Sequence, residues 1–207
     1  SQRRALDVHS LRALVESACT GLDAAVQAAP IVQETLRNLY DGIAVQDVHK
    51  AAILAARTLI EKEPGYTYAT ARLLLHSIVR EVLGHELTHA ELAPHYGEQF
   101  VERLRKGVEH RLLDERLLQF DVQRLGAALV PSRDLQFDYL GLQTLYDRYF
   151  LHVQQRRFEL PQAFFMRVAM GLALNEIDRE ARAIEFYELL SSFDFMSSTP
   201  TLFNSGT

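Results

Sequence analysis

A mainly α-helical fold is predicted by two features of this sequence: apolar residues recur three and four apart through one segment after another, and Gly, Pro or a capping residue stands at the segment ends. At 207 residues and 48% hydrophobic composition, the chain can bury a core in one or two domains.

Leu11, Leu14, Val15, Ala18 and Leu22 follow Ser10, a good N-cap, and stop near Gly21, which makes helix one. Pro30 suits a first helical turn, and Val32, Leu36, Leu39 and Tyr40 carry a short second helix to the Asp41-Gly42 turn signal. Val45, Val48, Ala52, Ala55, Leu59 and Ile60 mark a third helix closed by Pro64-Gly65. Thr67 then caps a fourth, through Tyr68, Ala71, Leu75, Ile78 and Val82 to Gly84. Between Gly84 and Pro94 the apolar period lapses, which places a domain boundary there. Phe100, Leu104 and Val108 resume it, and Asp114 to Leu129 reads as one or two shorter helices before the break at Pro131-Ser132. Tyr139, Leu142, Leu145, Tyr146 and Tyr149 form another stripe, and the stretch after it leaves room for a small hairpin around Gln154-Gln155. Pro161 opens a strongly apolar helix through Phe164, Phe165, Val168 and Leu172; Ile184, Tyr187, Leu190 and Phe193 give the last. The Ser, Thr, Pro, Asn and Gly content of Ser197 to Thr207 suits an extended strand leading into a turn. That tail has neither a cap nor a basic end, so the chain reads as a piece of a longer polypeptide.

Several function classes are set aside by composition. The net charge of -5, with no long Lys/Arg run, argues against nucleic acid or an anionic membrane as partner. No apolar run approaches the roughly 20 residues of a membrane helix, and Ser1-Gln2-Arg3-Arg4 does not open a secretory signal, so a cytoplasmic location is expected. The single Cys19 has no disulfide partner and falls in an apolar stripe, as a buried structural thiol would. Neither GxGxxG nor GxxxxGK occurs.

His85-Glu86-Leu87-Thr88-His89 is a literal HExxH, the pattern in which two histidines one helical turn apart hold zinc and the glutamate activates water; His95 stands where a third ligand would. That zinc-peptidase alternative needs one continuous helix through both histidines, whereas Gly84 ends a helix just before them, Leu92 replaces the glycine of the extended motif and Pro94 crowds His95. A solvated linker is the favoured reading. Asp47, His49, Glu61 and Lys62 read as the wet face of helix three, and Tyr146, Asp147, Arg148, Arg156 and Arg157 as a surface ion-pair patch.

The run Phe195-Met196-Ser197-Ser198-Thr199-Pro200-Thr201-Leu202-Phe203-Asn204-Ser205-Gly206-Thr207 resembles the strand that opens the ten-stranded α/β barrel of ribonucleotide reductase catalytic subunits. Residues 139–149 (YLGLQTLYDRY) and 159–169 (ELPQAFFMRVA) resemble the helices that precede it in that family. Tyr40-Asp41-Gly42-Ile43, Asp47-Val48-His49 and residues 68–74 (YATARLL) resemble the helical part of the family's ATP cone, a regulatory domain. The resemblance implies a degenerate cone-like helical domain over residues 1–90, then over 91–207 the helical N-terminal region of the catalytic subunit, leading through a small hairpin to the first barrel strand. It implies a parent enzyme, a ribonucleoside-diphosphate reductase, that makes deoxyribonucleotides by a cysteine thiyl radical mechanism. Partners would be a radical-generating small (beta) subunit, further copies of the large subunit and a ribonucleoside diphosphate; the radical source is left open. The active-site cysteines are not in this sequence, so the fragment alone is expected to be inactive and to hold no cofactor.

By the same resemblance Thr199 matches a position that helps hold the substrate phosphate, with Ser198, Thr201 and Asn204 as neighbours. Hydroxyls can donate to phosphate oxygens without a full positive charge. ATP and dATP would be allosteric effectors of the parent enzyme, yet the cone departs from its pattern. The expected nucleotide-binding hairpin is missing at Ser1-Gln2-Arg3-Arg4, Val45 replaces a hydroxyl residue, Ser10 replaces a basic one, and His49 is the best surviving match. Each lost charge-assisted hydrogen bond is worth about 1.5–3 kcal/mol, or roughly tenfold to a hundredfold in affinity. A helical regulatory or oligomerisation module docking on another subunit is the alternative function.

Overall fold

The computed structural model describes residues 5–207; the Ser1-Gln2-Arg3-Arg4 segment, with the expectation attached to it, lies outside them. Its chain contacts form two compact units, one running to Ser77 and taking in Leu135–Thr144, the other made of Ile78–Asp134 and Leu145–Thr207. The mainly helical expectation holds: eleven α-helices and one two-stranded ladder are present among the described residues.

In the first unit α1 (Val8–Cys19) packs on α2 (Ala28–Arg37), and α2 on α3 (Val45–Thr58). The α1 stripe buries Leu11, Val15 and Ala18 as the periodicity predicts. Its cap is Asp7, not Ser10. The Asp7 carboxylate accepts from the Ser10 backbone N–H at 3.0 Å and from its hydroxyl at 2.6 Å, so Ser10 lies in the first turn. Helix α2 stops at Arg37 and turns Ile31, Val32 and Thr35 inward, leaving Tyr40 67% exposed, so the predicted stripe is out of phase. Helix α4 (Tyr66–Leu83) starts before Thr67, which is therefore no cap; the Thr67 hydroxyl instead accepts from the Tyr139 N–H at 3.0 Å. Gly84, at φ +84°, ends α4 in the left-handed conformation that a side chain would strain.

In the second unit α5 (His89–Leu92) and a 3-10 turn lead into α6 (Tyr96–Glu109), which packs on α7 (Val122–Ala127). Helix α8 is Tyr139–Arg148, of which the part to Thr144 belongs to the first unit. The predicted hairpin forms: β1 (His152–Val153) pairs antiparallel with β2 (Arg156–Arg157). Gln154 and Gln155 both have positive φ, the backbone that a two-residue hairpin loop of type I′ requires.

Helix α9 (Pro161–Ala173) starts on its proline and is the centre of this unit. All ten residues from Pro161 to Met170 are buried. Helix α10 (Arg179–Ser191) packs along it and ends before Phe193, which takes a positive φ.

The barrel-opening strand expected over the tail is not formed. Thr199–Asn204 is a short helix, α11, that buries Leu202 and lies on α9. Pro200 falls in the first turn, where its missing N–H costs nothing and its φ is preset for helix, and Ser198, the N-cap, stays extended.

Candidate functional site

The tail is held by a charge buried in an otherwise apolar helix. Arg167 is 1% exposed, between Met166 and Val168 on α9, and its guanidinium Nε and Nη2 donate to Glu159 at 2.5 and 3.1 Å. An unpaired guanidinium could not be tolerated at that depth, and the two-point contact is the geometry that offsets its desolvation. Its remaining nitrogen, Nη1, donates to the Ser205 carbonyl at 2.7 Å, and the second Glu159 oxygen also takes the Leu151 N–H at 3.0 Å. The Ser205 hydroxyl donates to the Val168 carbonyl at 2.7 Å, and the Asp114 N–H to the Gly206 carbonyl at 3.1 Å. Gly171 makes this approach possible, because a Cβ there would collide with the Gly206 backbone nitrogen and Ser205.

On the outer side of that anchor are the predicted substrate residues. Ser198 and Thr199 are exposed and Thr201 half-buried; the Ser198 and Thr201 hydroxyls are 3.3 Å apart. Asn204 instead donates to the Pro200 carbonyl at 2.9 Å within α11. The Thr199 hydroxyl meets the Tyr149 hydroxyl at 3.0 Å, and the Tyr149 ring lies 5.1 Å from that of Phe203. Hydroxyls so grouped, two of them on exposed residues, can donate to the oxygens of an anion.

His49 belongs to the first unit, half-buried on α3, its ring edge-on to His76 at 5.4 Å. Val45 is 39% exposed in the first turn of the same helix. The HExxH histidines do not share a helix. His85 lies in the exposed loop after Gly84, and Thr88 caps α5 through a reciprocal bond with Glu91, so the helix begins only at His89. His89 Nε2 is engaged with the Pro131 carbonyl at 2.9 Å. Cys19 is half-buried, and burial pushes its thiol up.

Near the hairpin, three residues of the expected patch, Tyr146, Arg156 and Arg157, form a hydrogen-bonded clasp on Glu81. Its carboxylate accepts from the Tyr146 hydroxyl at 2.7 Å and the Arg157 N–H at 2.5 Å, and its backbone carbonyl accepts from Arg156 Nε at 2.7 Å. The Arg157 guanidinium covers the Tyr146 ring at 4.4 Å. Burial and the Glu81 carboxylate push the Tyr146 phenol up to about 12.

Sequence reasoning missed the buried Asp134. Its carboxylate accepts from the Tyr96 hydroxyl and from Gln162 Nε2, both at 2.8 Å; the Gln162 N–H donates to Tyr96 Oη and the Tyr187 hydroxyl to Gln162 Oε1. Side chains from α6, α9 and α10 are tied together with Asp134 in this way. Burial pushes the Asp134 carboxyl up to about 7, against the pull of the two donors. Because the unfolded chain releases this proton near pH 4 and the folded chain near pH 7, the folded state holds more protons between those values. This group's contribution to stability is therefore full below about pH 4 and falls by about 1.4 kcal/mol per pH unit up to about pH 7. Thermal unfolding of wild type and Asp134→Asn at pH 5 and pH 8 checks this: the wild type should lose about 2–3 kcal/mol relative to the variant across that interval.

With this geometry in place, comparison with known proteins gives a consistent answer. Residues 135–207, which carry α8, the hairpin, α9, α10 and the anchored tail, match the family described as ribonucleotide reductase, all-alpha domain. The chain belongs to the ribonucleotide reductase large-subunit family. It is 45% identical over 196 residues to the ribonucleoside-diphosphate reductase subunit alpha of Chlamydia trachomatis, covering 95% of this chain and 19% of that protein. The subunit alpha of Helicobacter pylori is 34% identical over 204 residues, 98% of this chain and 25% of the relative. The large subunit of Danio rerio is 30% identical over 194 residues, 93% of this chain and 24% of the relative. The chain thus spans about a fifth to a quarter of the length of these relatives.

Proposed function

We propose that this chain is the helical N-terminal region of a ribonucleotide reductase large subunit, and that Ser198, Thr199 and Thr201 hold a phosphate of the ribonucleoside diphosphate that the whole enzyme reduces. The observation that carries the reading is the family match over residues 135–207, whose final segment groups these three hydroxyls, with Ser198 and Thr199 exposed, on a turn anchored through Arg167. In the whole enzyme the reduction is radical chemistry at cysteines supplied by the rest of the polypeptide, since Cys19 is the single cysteine here and its thiol is pushed up by burial. A radical-generating small subunit and further copies of the large subunit are the partners, and the location is cytoplasmic. No helix among the described residues is long and apolar enough to cross a membrane.

The test is reduction of CDP by the full-length subunit assembled with its small subunit. Thr199→Val removes a hydroxyl and keeps the shape, and should raise KM for CDP about tenfold or more; an unchanged KM would end the phosphate reading.

For residues 1–90 the reading is a degenerate ATP cone in which His49 is the residue closest to a nucleotide-binding role. Two of its altered positions offer a triphosphate no free side-chain donor: the Ser10 hydroxyl is committed to Asp7 and the Val45 side chain is a hydrocarbon. Isothermal titration with ATP or dATP should show weak or absent binding, and a tight one-to-one complex would overturn that expectation.

A further inference from the structure

We propose that Tyr149 is a positioning residue for this phosphate site, its hydroxyl donating to Thr199 Oγ1 so that the Thr199 proton is left for the substrate. The inference rests on the reading of Thr199 given above.

Threonine hydroxyls in helices commonly turn back onto the carbonyl four residues earlier. Thr35, Thr70 and Thr144 all do so here, each at 2.7 Å. Thr199 is the first residue of α11, where no such helical carbonyl precedes it, and its hydroxyl meets the Tyr149 phenol at 3.0 Å. A phenol is the more acidic of the two hydroxyls and therefore the better donor. An alcohol that accepts such a bond becomes a stronger donor through its own proton. With the phenol donating on one side and solvent on the other, the Thr199 proton is left to turn to where an anion would arrive.

Tyr149 is itself well fixed. Its N–H closes onto the Leu145 carbonyl at 2.9 Å just past the end of α8. Its ring lies against Phe203, four residues after Thr199 and so on the same face of α11. The ring thus supports one end of the short helix while the hydroxyl engages the other. Leu202, 4% exposed, and the Ser205 contacts keep α11 in place on α9 without Tyr149. Removing the hydroxyl alone should therefore change the direction of one proton and leave the helix docked.

Steady-state CDP reduction by the full-length subunit with its small subunit, in wild type, Tyr149→Phe, Thr199→Val and the double variant, tests this. The expected result is a KM for CDP raised about fivefold by Tyr149→Phe with kcat within about twofold of wild type, and a double variant no worse than Thr199→Val alone. An unchanged KM in Tyr149→Phe, while Thr199→Val is impaired, overturns the proposal and leaves the phosphate reading standing. So do effects that multiply in the double variant, since they would show Tyr149 acting independently of Thr199, as a staple for α11. An unchanged KM in Thr199→Val overturns both readings together.

Discussion

Replacing Arg167 by methionine should lower the stability of the second unit by about 3–5 kcal/mol, the cost of breaking a buried ion pair by removing one partner. Methionine fills much of the same volume, so the loss is electrostatic. Glu159, 4% exposed, would keep a carboxylate with no cation beside it, and the Ser205 carbonyl would lose its donor. The thermal midpoint followed by circular dichroism should fall by about 10 °C or more. Adding Glu159→Gln should recover part of that loss, because the amide is neutral and its oxygen can still accept from the Leu151 N–H. A single variant as stable as wild type would show that the pair contributes nothing to holding the tail.

Gly171→Ala should release the tail while leaving α9 intact. Alanine is the better helix former by about 1 kcal/mol, so the helix itself gains. Its Cβ, however, would stand 2.2 Å from the Gly206 nitrogen, and backbone cannot swing aside as a side chain can. The segment carrying Ser205 and Gly206 must lift, taking with it the bonds to Arg167, Val168 and Asp114. Amide hydrogen exchange at Leu202 and Ser205 should speed up about tenfold to a hundredfold, with the helical signal of α9 unchanged. Leu172→Ala, at a side chain 45% exposed on the neighbouring position, is the control that should leave exchange as it was.

The helices were legible because their stripes are long. Leu11, Val15 and Ala18 in α1, or Ala71, Leu75, Ile78 and Val82 in α4, repeat over enough turns that no other period fits, and all of them are buried. Ends were less legible. Asp7 and Ser10 are both good caps three residues apart, and only the geometry shows the first capping and the second held in the turn. The tail reads as a strand because the six residues of α11 carry too little period to overrule composition: two threonines and a phenylalanine, followed by Asn-Ser-Gly, suit a strand and then a turn. What settles α11 is contact of the segment just after it with α9, 37 and 38 residues earlier at Val168 and Arg167, and at Gly171.

The same distance in sequence hid parts of the candidate site. Ser198, Thr199 and Thr201 could be named from their motif, but Tyr149 is 50 residues from the threonine it meets. Asp134 follows the Pro131-Ser132 break in sequence, and nothing local foretells that Tyr96 and Gln162 close over it. Arg167 did leave a signal: a lone cation inside an apolar run must find a counter-charge, and Glu159 is eight residues upstream.

Most helices can drift on the side that faces water, and their sequences diverge there without consequence. Helix α9 has no such side from Pro161 to Met170. With no face turned to water, a change of volume or charge at any position in that stretch must be absorbed by packed neighbours, and the turn beyond it stays in place only if that packing does.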